Sequence, residues 1–238
     1  MNQLPLRIGL NDPPTFENFY GKERPEGPEI LREHARGKRV RPLVYLHGPT
    51  GSGKTHLLAA CIHEATEFGH RAVGVSLSEP GQAAPELLEG LDESGLVVID
   101  DIDVCMGIPE WEEALFHLYG RVENSATRLV VASRHGPRAS RVRLPDLGSR
   151  LRGAFSVRLL PLSEPEQREA LAARASSRGF AMGEEVLEYL LRRARRDMHT
   201  LMGYLDRLDV VSLAEKRRIT VPLLREVLHA AVTEEQAP

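Results

Sequence analysis

The run Gly48-Pro49-Thr50-Gly51-Ser52-Gly53-Lys54-Thr55 carries the strongest chemical signal in the chain. Its residue types and spacing are those of a phosphate-binding P-loop. Glycines let the backbone curl so that successive N–H groups face one centre, and a helix starting at the loop adds its positive end. Lys54 is expected to reach the β- and γ-phosphates of a nucleoside triphosphate, and the Thr55 hydroxyl to bind Mg²⁺. Downstream, Leu96-Val97-Val98-Ile99-Asp100-Asp101 is an apolar run ending in two carboxylates. Asp100 is expected to hold the same Mg²⁺, directly or through water. Asp101 is placed to orient or polarise an attacking water. Each motif has a plain structural reading, a Gly-rich turn or an acidic strand end. Their occurrence together favours chemistry.

Other residues are more open. Ser133 closes the apolar run 129–132 and serves either as a γ-phosphate sensor or as a polar strand cap. Arg150, in Leu147-Gly148-Ser149-Arg150-Leu151, is either a surface arginine on a short helix or a charge donated to a neighbour's nucleotide. Gln3, Leu4 and Leu6 alternate polar and apolar character near the start of the chain. That pattern suits a docking peptide as well as a segment packing on its own domain. Arg192 to Arg196 is a basic cluster that reads first as a solvated helix face, with a phosphate contact as the alternative. The nine histidines form no ligand spacing. Cys61 and Cys105 cannot build a disulfide framework or a four-ligand zinc site, and are expected as half-buried thiols.

These residues need elements to hold them. Apolar runs at Leu43–Leu46, Ala72–Val75, Leu96–Ile99, Leu129–Ala132 and Val157–Leu160 read as buried strands. Between them, helical periodicity covers Lys54–Phe68, a short stretch Glu86–Leu91, and a helix opened by Pro109 whose inner face is Trp111, Ala114, Leu115 and Leu118. Strands alternating with helices predict an α/β fold with a parallel sheet covered on both faces. Prolines and glycines through residue 28 predict a tail, followed by a short helix Glu29–Ala35. Beyond Pro161 only helical periodicity remains, opened by a capping box at Ser163 and Glu166. The expected organisation is a tail at 1–14, an α/β nucleotide-binding domain at 15–161 and a small all-helical lid at 162–238.

The 238 residues suit one large domain or a domain with an appendage. Hydrophobic residues make up 42% and charged residues 27%, a globular balance. A net charge of −3 excludes a dominant basic footprint for nucleic acid. No apolar run is long enough to span a membrane, and Met1–Leu10 lacks a secretory h-region, so a cytoplasmic location is expected.

Taken together, the P-loop, Asp100-Asp101, Ser149-Arg150 and the helical lid resemble the AAA+ ATPases, specifically the DnaA initiator family. Thr15-Phe16-Glu17-Asn18-Phe19 is similar to that family's opening segment near the adenine. Glu110 to Tyr119, Leu144 to Leu151, Arg196 to Leu201 and the Gln3-Leu4-Pro5-Leu6 peptide resemble a DnaA-related branch of replication regulators. A chain ending near 238 leaves no room for the initiator's helix-turn-helix DNA-binding domain, which also suits that branch. The resemblance implies ADP or ATP in the P-loop with Mg²⁺ at Thr55 and Asp100. It implies Arg150 acting in trans on DnaA-bound ATP, and Gln3, Leu4 and Leu6 docking on the β sliding clamp loaded on DNA. Two positions depart from the family. Its acidic sensor falls on Arg134 and its lid arginine on His199, with Arg196 one helical turn earlier as the expected substitute. Both departures imply slow hydrolysis by this chain and suit a protein that holds ADP.

The expected function is therefore negative control of replication initiation through hydrolysis of DnaA-bound ATP, with homo-oligomers possible and no sequence-specific DNA binding. Two rivals stand beside it. One is an autonomous P-loop ATPase of helicase-loader type; the other is an adaptor that binds DnaA without catalysis.

Overall fold

The computed structural model describes residues 13–21, 26–38, 41–79, 84–194 and 197–235. Its contacts divide the chain into two units. One comprises residues 1–49 and 53–160; the other comprises 161–238 together with the segment Thr50–Ser52.

The first unit is built on a five-stranded sheet in the order β2-β3-β4-β1-β5. The strands are β1 (Leu43–His47), β2 (Ala72–Ser76), β3 (Leu96–Asp100), β4 (Arg128–Ser133) and β5 (Phe155–Arg158). All four pairings are parallel. The helices are α1 (Glu26–Ala35), α2 (Lys54–Glu67), α3 (Pro109–Glu123) and α4 (Pro145–Gly153).

Strand alternation sorts the apolar residues to two faces. Leu43, Tyr45, Val97, Ile99, Leu129 and Val131 point to one side, where Trp111, Leu115, Leu118 and Val122 of α3 and Leu147 and Leu151 of α4 cover them. Val44, Leu46, Leu96, Val98, Val130 and Ala132 point to the other, beneath Leu31 and Ala35 of α1 and Leu57, Leu58, Cys61 and Ala65 of α2. Each such Leu, Val or Ile side chain contributes roughly 1.5–3 kcal/mol by leaving water. Burial on both faces explains why β1, β3 and β4 read as continuous apolar runs.

The ion pairs follow the same layering. Glu64 of α2, almost fully buried, accepts from Arg32 Nε at 3.0 Å and Arg36 Nε at 2.5 Å, tying α1 onto α2. The Arg128 guanidinium, also buried, donates to the carbonyls of His34, Ala35 and Gly95.

Four expectations need correction. The last strand is Phe155–Arg158, not Val157–Leu160. Among the described residues β5 is an edge strand pairing only with β1, so it needs few apolar residues, and Val157 alone of its four is buried. The helix expected at Glu86–Leu91 is two 3₁₀ turns, Pro85–Leu88 and Leu91–Glu93, divided by Gly90 at φ 70°. α1 begins at Glu26 rather than Glu29, with Pro28 in the first turn, where the missing N–H has no helical partner to lose. Both thiols are fully buried rather than half-buried, and burial pushes them up, Cys105 to about 12.

The second unit is all helical beyond Pro161: α5 (Glu164–Ser177), α6 (Glu184–Arg193), α7 (Met198–Glu215) and α8 (Val221–Glu235). Ser163 and Glu166 close the capping box at the start of α5, with Ser163 N donating to Glu166 Oε2 at 2.8 Å. Leu171, Leu187, Leu190, Leu191, Leu201, Leu208, Leu223 and Leu224 form its core. Among the described residues, no helix is long and apolar enough to cross a membrane.

Candidate nucleotide site

The carboxyl ends of β1, β4 and β3 lie side by side, and a doubly wound sheet binds ligands beyond such ends. The P-loop leaves β1 there. Gly48 N donates to the carbonyl of Ser133 at the end of β4, 3.2 Å away. Gly51 has φ 77° and Gly53 φ 90°, the left-handed region that favours glycine. At Gly53 a Cβ would also lie 2.6 Å from Phe19 Cε2, so no side chain fits.

Lys54 opens α2 with its side chain buried, donating to the carbonyls of Gly48 at 2.9 Å and Pro49 at 3.2 Å. Burial lowers its pKa, while the charges of Asp100, Asp101 and Asp103 work to keep it protonated. Thr55 Oγ1 donates to Asp100 Oδ2 at 2.5 Å. That contact brings the two expected Mg²⁺ ligands together across β4. Ser52 Oγ is buried without a hydrogen-bond partner among the described residues. A glycine that excludes a Cβ, a buried ammonium and a Thr–Asp pair form a donor set that fits a nucleotide polyphosphate with Mg²⁺.

Asp101 sits at φ 55°, outside β3, and its N–H donates to Asp100 Oδ1 at 2.9 Å. Burial raises its pKa, and the like charges of Asp100 and Asp103 raise it further against Lys54 and Arg134. A carboxylate with a raised pKa is a stronger base, as water activation requires.

Ser133 is fully buried, and its Oγ accepts from His135 N at 3.2 Å. Arg134 is fastened to Asp103: its backbone N–H donates to Oδ1 at 3.0 Å and its Nε to Oδ2 at 2.6 Å. Burial opposes the charge of Asp103, yet the Arg134 backbone and side-chain hydrogen bonds hold its pKa below the ordinary value. Asp103 carries no signal of its own in the sequence; its part depends on the short 3₁₀ turn Ile102–Val104.

Thr15 and Asn18 brace the opening segment through Thr15 N to Asn18 Oδ1 (2.8 Å) and Asn18 N to Thr15 Oγ1 (3.2 Å). Phe19 lies against His56, ring centroids 5.6 Å apart, at the start of α2.

Arg150 stands on α4. Its guanidinium lies over the rings of Phe116 at 4.8 Å and Tyr119 at 4.7 Å, and Nη1 pairs with Glu123 Oε2 at 2.8 Å. Its side chain is 31% exposed, within reach of solvent. In the helical unit, His199 is exposed in the first turn of α7. Arg192 pairs with Glu188 at 2.5 Å, a solvated helix-face contact. Gln3, Leu4, Leu6 and Arg196 lie outside the described residues. Among the described residues, no cluster of His, Cys, Asp and Glu has metal-site geometry by itself.

The family model for the bacterial DnaA ATPase domain matches residues 11–160, and that for the Hda lid domain matches residues 164–228. An uncharacterized protein of Haemophilus influenzae is 37% identical over 228 residues, covering 95% of this chain and 98% of that protein. Domain III of the Thermotoga maritima replication initiation protein DnaA superposes with a TM-score of 0.77 at 20% identity, covering 91% of this chain and 95% of that one. AMPPCP-bound DnaA from Aquifex aeolicus gives 0.68 at 23% identity, covering 84% of this chain and 66% of that one. The two solved structures share the fold. With an ATPase module over more than half its length and the matching lid behind it, the chain belongs to the Hda/DnaA family of AAA+ ATPases.

Proposed function

We propose that this protein is a negative regulator of replication initiation that stimulates hydrolysis of ATP bound to the DnaA initiator. In this reading the chain holds ADP or ATP in its own P-loop. Lys54 and the loop amides Gly48 to Thr55 bind the phosphates, and Thr55 and Asp100 are the side chains for Mg²⁺. When bound, Mg²⁺ supplies charge neutralisation at the phosphate oxygens. Arg150 supplies its guanidinium to the nucleotide of a neighbouring DnaA, where a planar, permanently charged fork matches the dispersed charge of a transferring phosphoryl.

The mounting of Arg150 carries this proposal. Two aromatic rings and one carboxylate hold the guanidinium on α4, and the side chain as a whole stays partly exposed. The attachment of Arg134 to Asp103, in place of an acidic sensor, fits slow hydrolysis by the chain itself. Recruitment by the β sliding clamp through Gln3, Leu4 and Leu6 is part of the same proposal and rests on the sequence resemblance. A cytoplasmic location and domain limits of 1–14, 15–161 and 162–238 belong with it.

One reconstituted assay tests the reading: loss of DnaA-bound ATP with this protein, the clamp and DNA. Arg150→Ala is expected to slow the reaction by about 10³-fold or more, the usual worth of a trans arginine. Replacing Gln3, Leu4 and Leu6 with alanine is expected to remove the clamp dependence. Near-normal stimulation by Arg150→Ala overturns the catalytic role in favour of an adaptor. The intact Lys54, Thr55 and Asp100 set also favours an autonomous ATPase, and rapid turnover by the chain without DnaA would establish that instead.

A further inference from the structure

Glu112 is a glutamate in the first turn of α3, 1% exposed. A buried carboxylate is costly unless its oxygens are satisfied. Here they are, by backbone alone. Oε1 accepts from Gly107 N at 2.7 Å and Arg143 N at 3.0 Å; Oε2 accepts from Arg143 N at 3.0 Å and Leu144 N at 2.7 Å. The carboxylate thus joins two loops, which the Arg134–Asp103 pair and the packing of Met106, Val142 and Leu144 also bring together. One follows the acidic end of β3, and the other leads into α4.

The second attachment matters more for Arg150. α4 has nine residues, and its N-cap, Leu144, offers no side-chain acceptor. Pro145, its first residue, has no N–H. Glu112 holds the N–H groups of Arg143 and Leu144, the two residues that lead into α4, and its charge suits the positive end of the helix. The Glu112 anchor lies immediately before α4 and fixes where the helix starts, while Leu147 and Leu151 pack its buried face on the core. A change of one residue in helical setting turns a side chain by about 100°, enough to carry Arg150 off its aromatic seat.

The residues that seat Arg150 lie in line with the anchor. Glu112, Phe116, Tyr119 and Glu123 are spaced i, i+4, i+7 and i+11 along α3, one stripe of the helix. Glu112 fixes the backbone leading to Arg150, and the other three hold its head.

We infer that Glu112 is the positioning residue for Arg150: its buried carboxylate sets the helix that carries the guanidinium. The inference deepens the proposed function and rests on it for the rate effect, but not for the geometry. Glu112→Gln keeps the shape and turns one acceptor into a donor facing backbone N–H groups.

The experiment has two arms. In the first, the Arg150 Nε–Hε resonance is assigned by its loss in Arg150→Ala. Ring currents from Phe116 and Tyr119 shift it in the wild type, and Glu112→Gln is expected to return it toward the value of a free arginine. In the second arm, Glu112→Gln is expected to lower the maximal rate of DnaA-bound ATP loss by roughly 10²-fold, the cost of a misplaced reacting group. The half-saturating protein concentration and the affinity for ADP should stay as in the wild type. A folded Glu112→Gln whose Arg150 resonance stays at the wild-type position overturns the inference. If Glu112→Gln does not fold, Glu112→Asp replaces it, because it keeps the charge and only withdraws the oxygens. If Arg150→Ala itself leaves hydrolysis untouched, the trans role fails, and the resonance still decides whether Glu112 positions Arg150.

Discussion

The surroundings of Asp101 oppose its negative charge. Burial is the first cause, and Asp100 and Asp103 add like charge. The residue is also held at φ 55°, a conformation asparagine accepts as readily as aspartate. With its folded pKa raised above the unfolded value, the group favours folding only while protonated. That contribution is full below the unfolded pKa and lost as pH rises through the folded one. Asp101→Asn is therefore expected to raise the melting temperature at neutral pH and to match the wild type in acid. The gain should stay below about 1 kcal/mol, since the site is only half-buried and solvent screens its charges. That corresponds to at most ~2–4 °C for a chain of this size. A thermal melt series from acid to neutral pH checks it; a gain independent of pH would remove the charge argument. If Asp101 activates water, the same variant should lose whatever slow hydrolysis the chain has. The sequence marked Asp101 by its place after an apolar strand. Its strain and its crowding by Asp103 came from the turn that follows.

At the scale of elements, helix ends were legible where side chains cap them. Ser163 and Glu166 form their box as the sequence pattern predicts, because the motif satisfies its own backbone donors. Ser163→Ala is expected to cost about 1 kcal/mol, read as an earlier thermal transition by circular dichroism. Ser176→Ala, exposed near the other end of α5, should change stability by less than ~0.5 kcal/mol. Equal effects at the two ends would show that the cap contributes nothing. α4 gives the opposite lesson. The residues leading into it are held by Glu112, 33 positions before Pro145 in the chain, and no local pattern announces such a contact.

For the whole molecule, ligand binding and stability are one measurement. Adenine nucleotide bound only by the folded chain should stabilise it by about 2.7 kcal/mol at a concentration one hundred times its dissociation constant. That predicts a rise in melting temperature of roughly 5–10 °C. Lys54→Ala should abolish most of the rise, since it removes the buried ammonium that now rests on the carbonyls of Gly48 and Pro49. Differential scanning calorimetry with ADP and with ATP measures both. Equal shifts for wild type and variant would mean the P-loop is not the binding site.

The parallel sheet, the loop that follows β1 and the change to an all-helical unit after Pro161 are legible in the order of residues. Those features are written in local pattern: apolar runs buried on both faces, glycines where φ must be positive, and helical periodicity that a short window contains. Tertiary structure decided the rest. It set β5 two residues earlier, because an edge strand answers to a single neighbour. It broke the expected helix after Pro85 into two turns at Gly90. It paired Arg134 with Asp103 and seated Arg150 on Phe116, Tyr119 and Glu123. It also buried Glu112 where three backbone amides converge. A charged residue shows its type in the sequence but not its partner, and in a buried site the partner fixes what the charge can do.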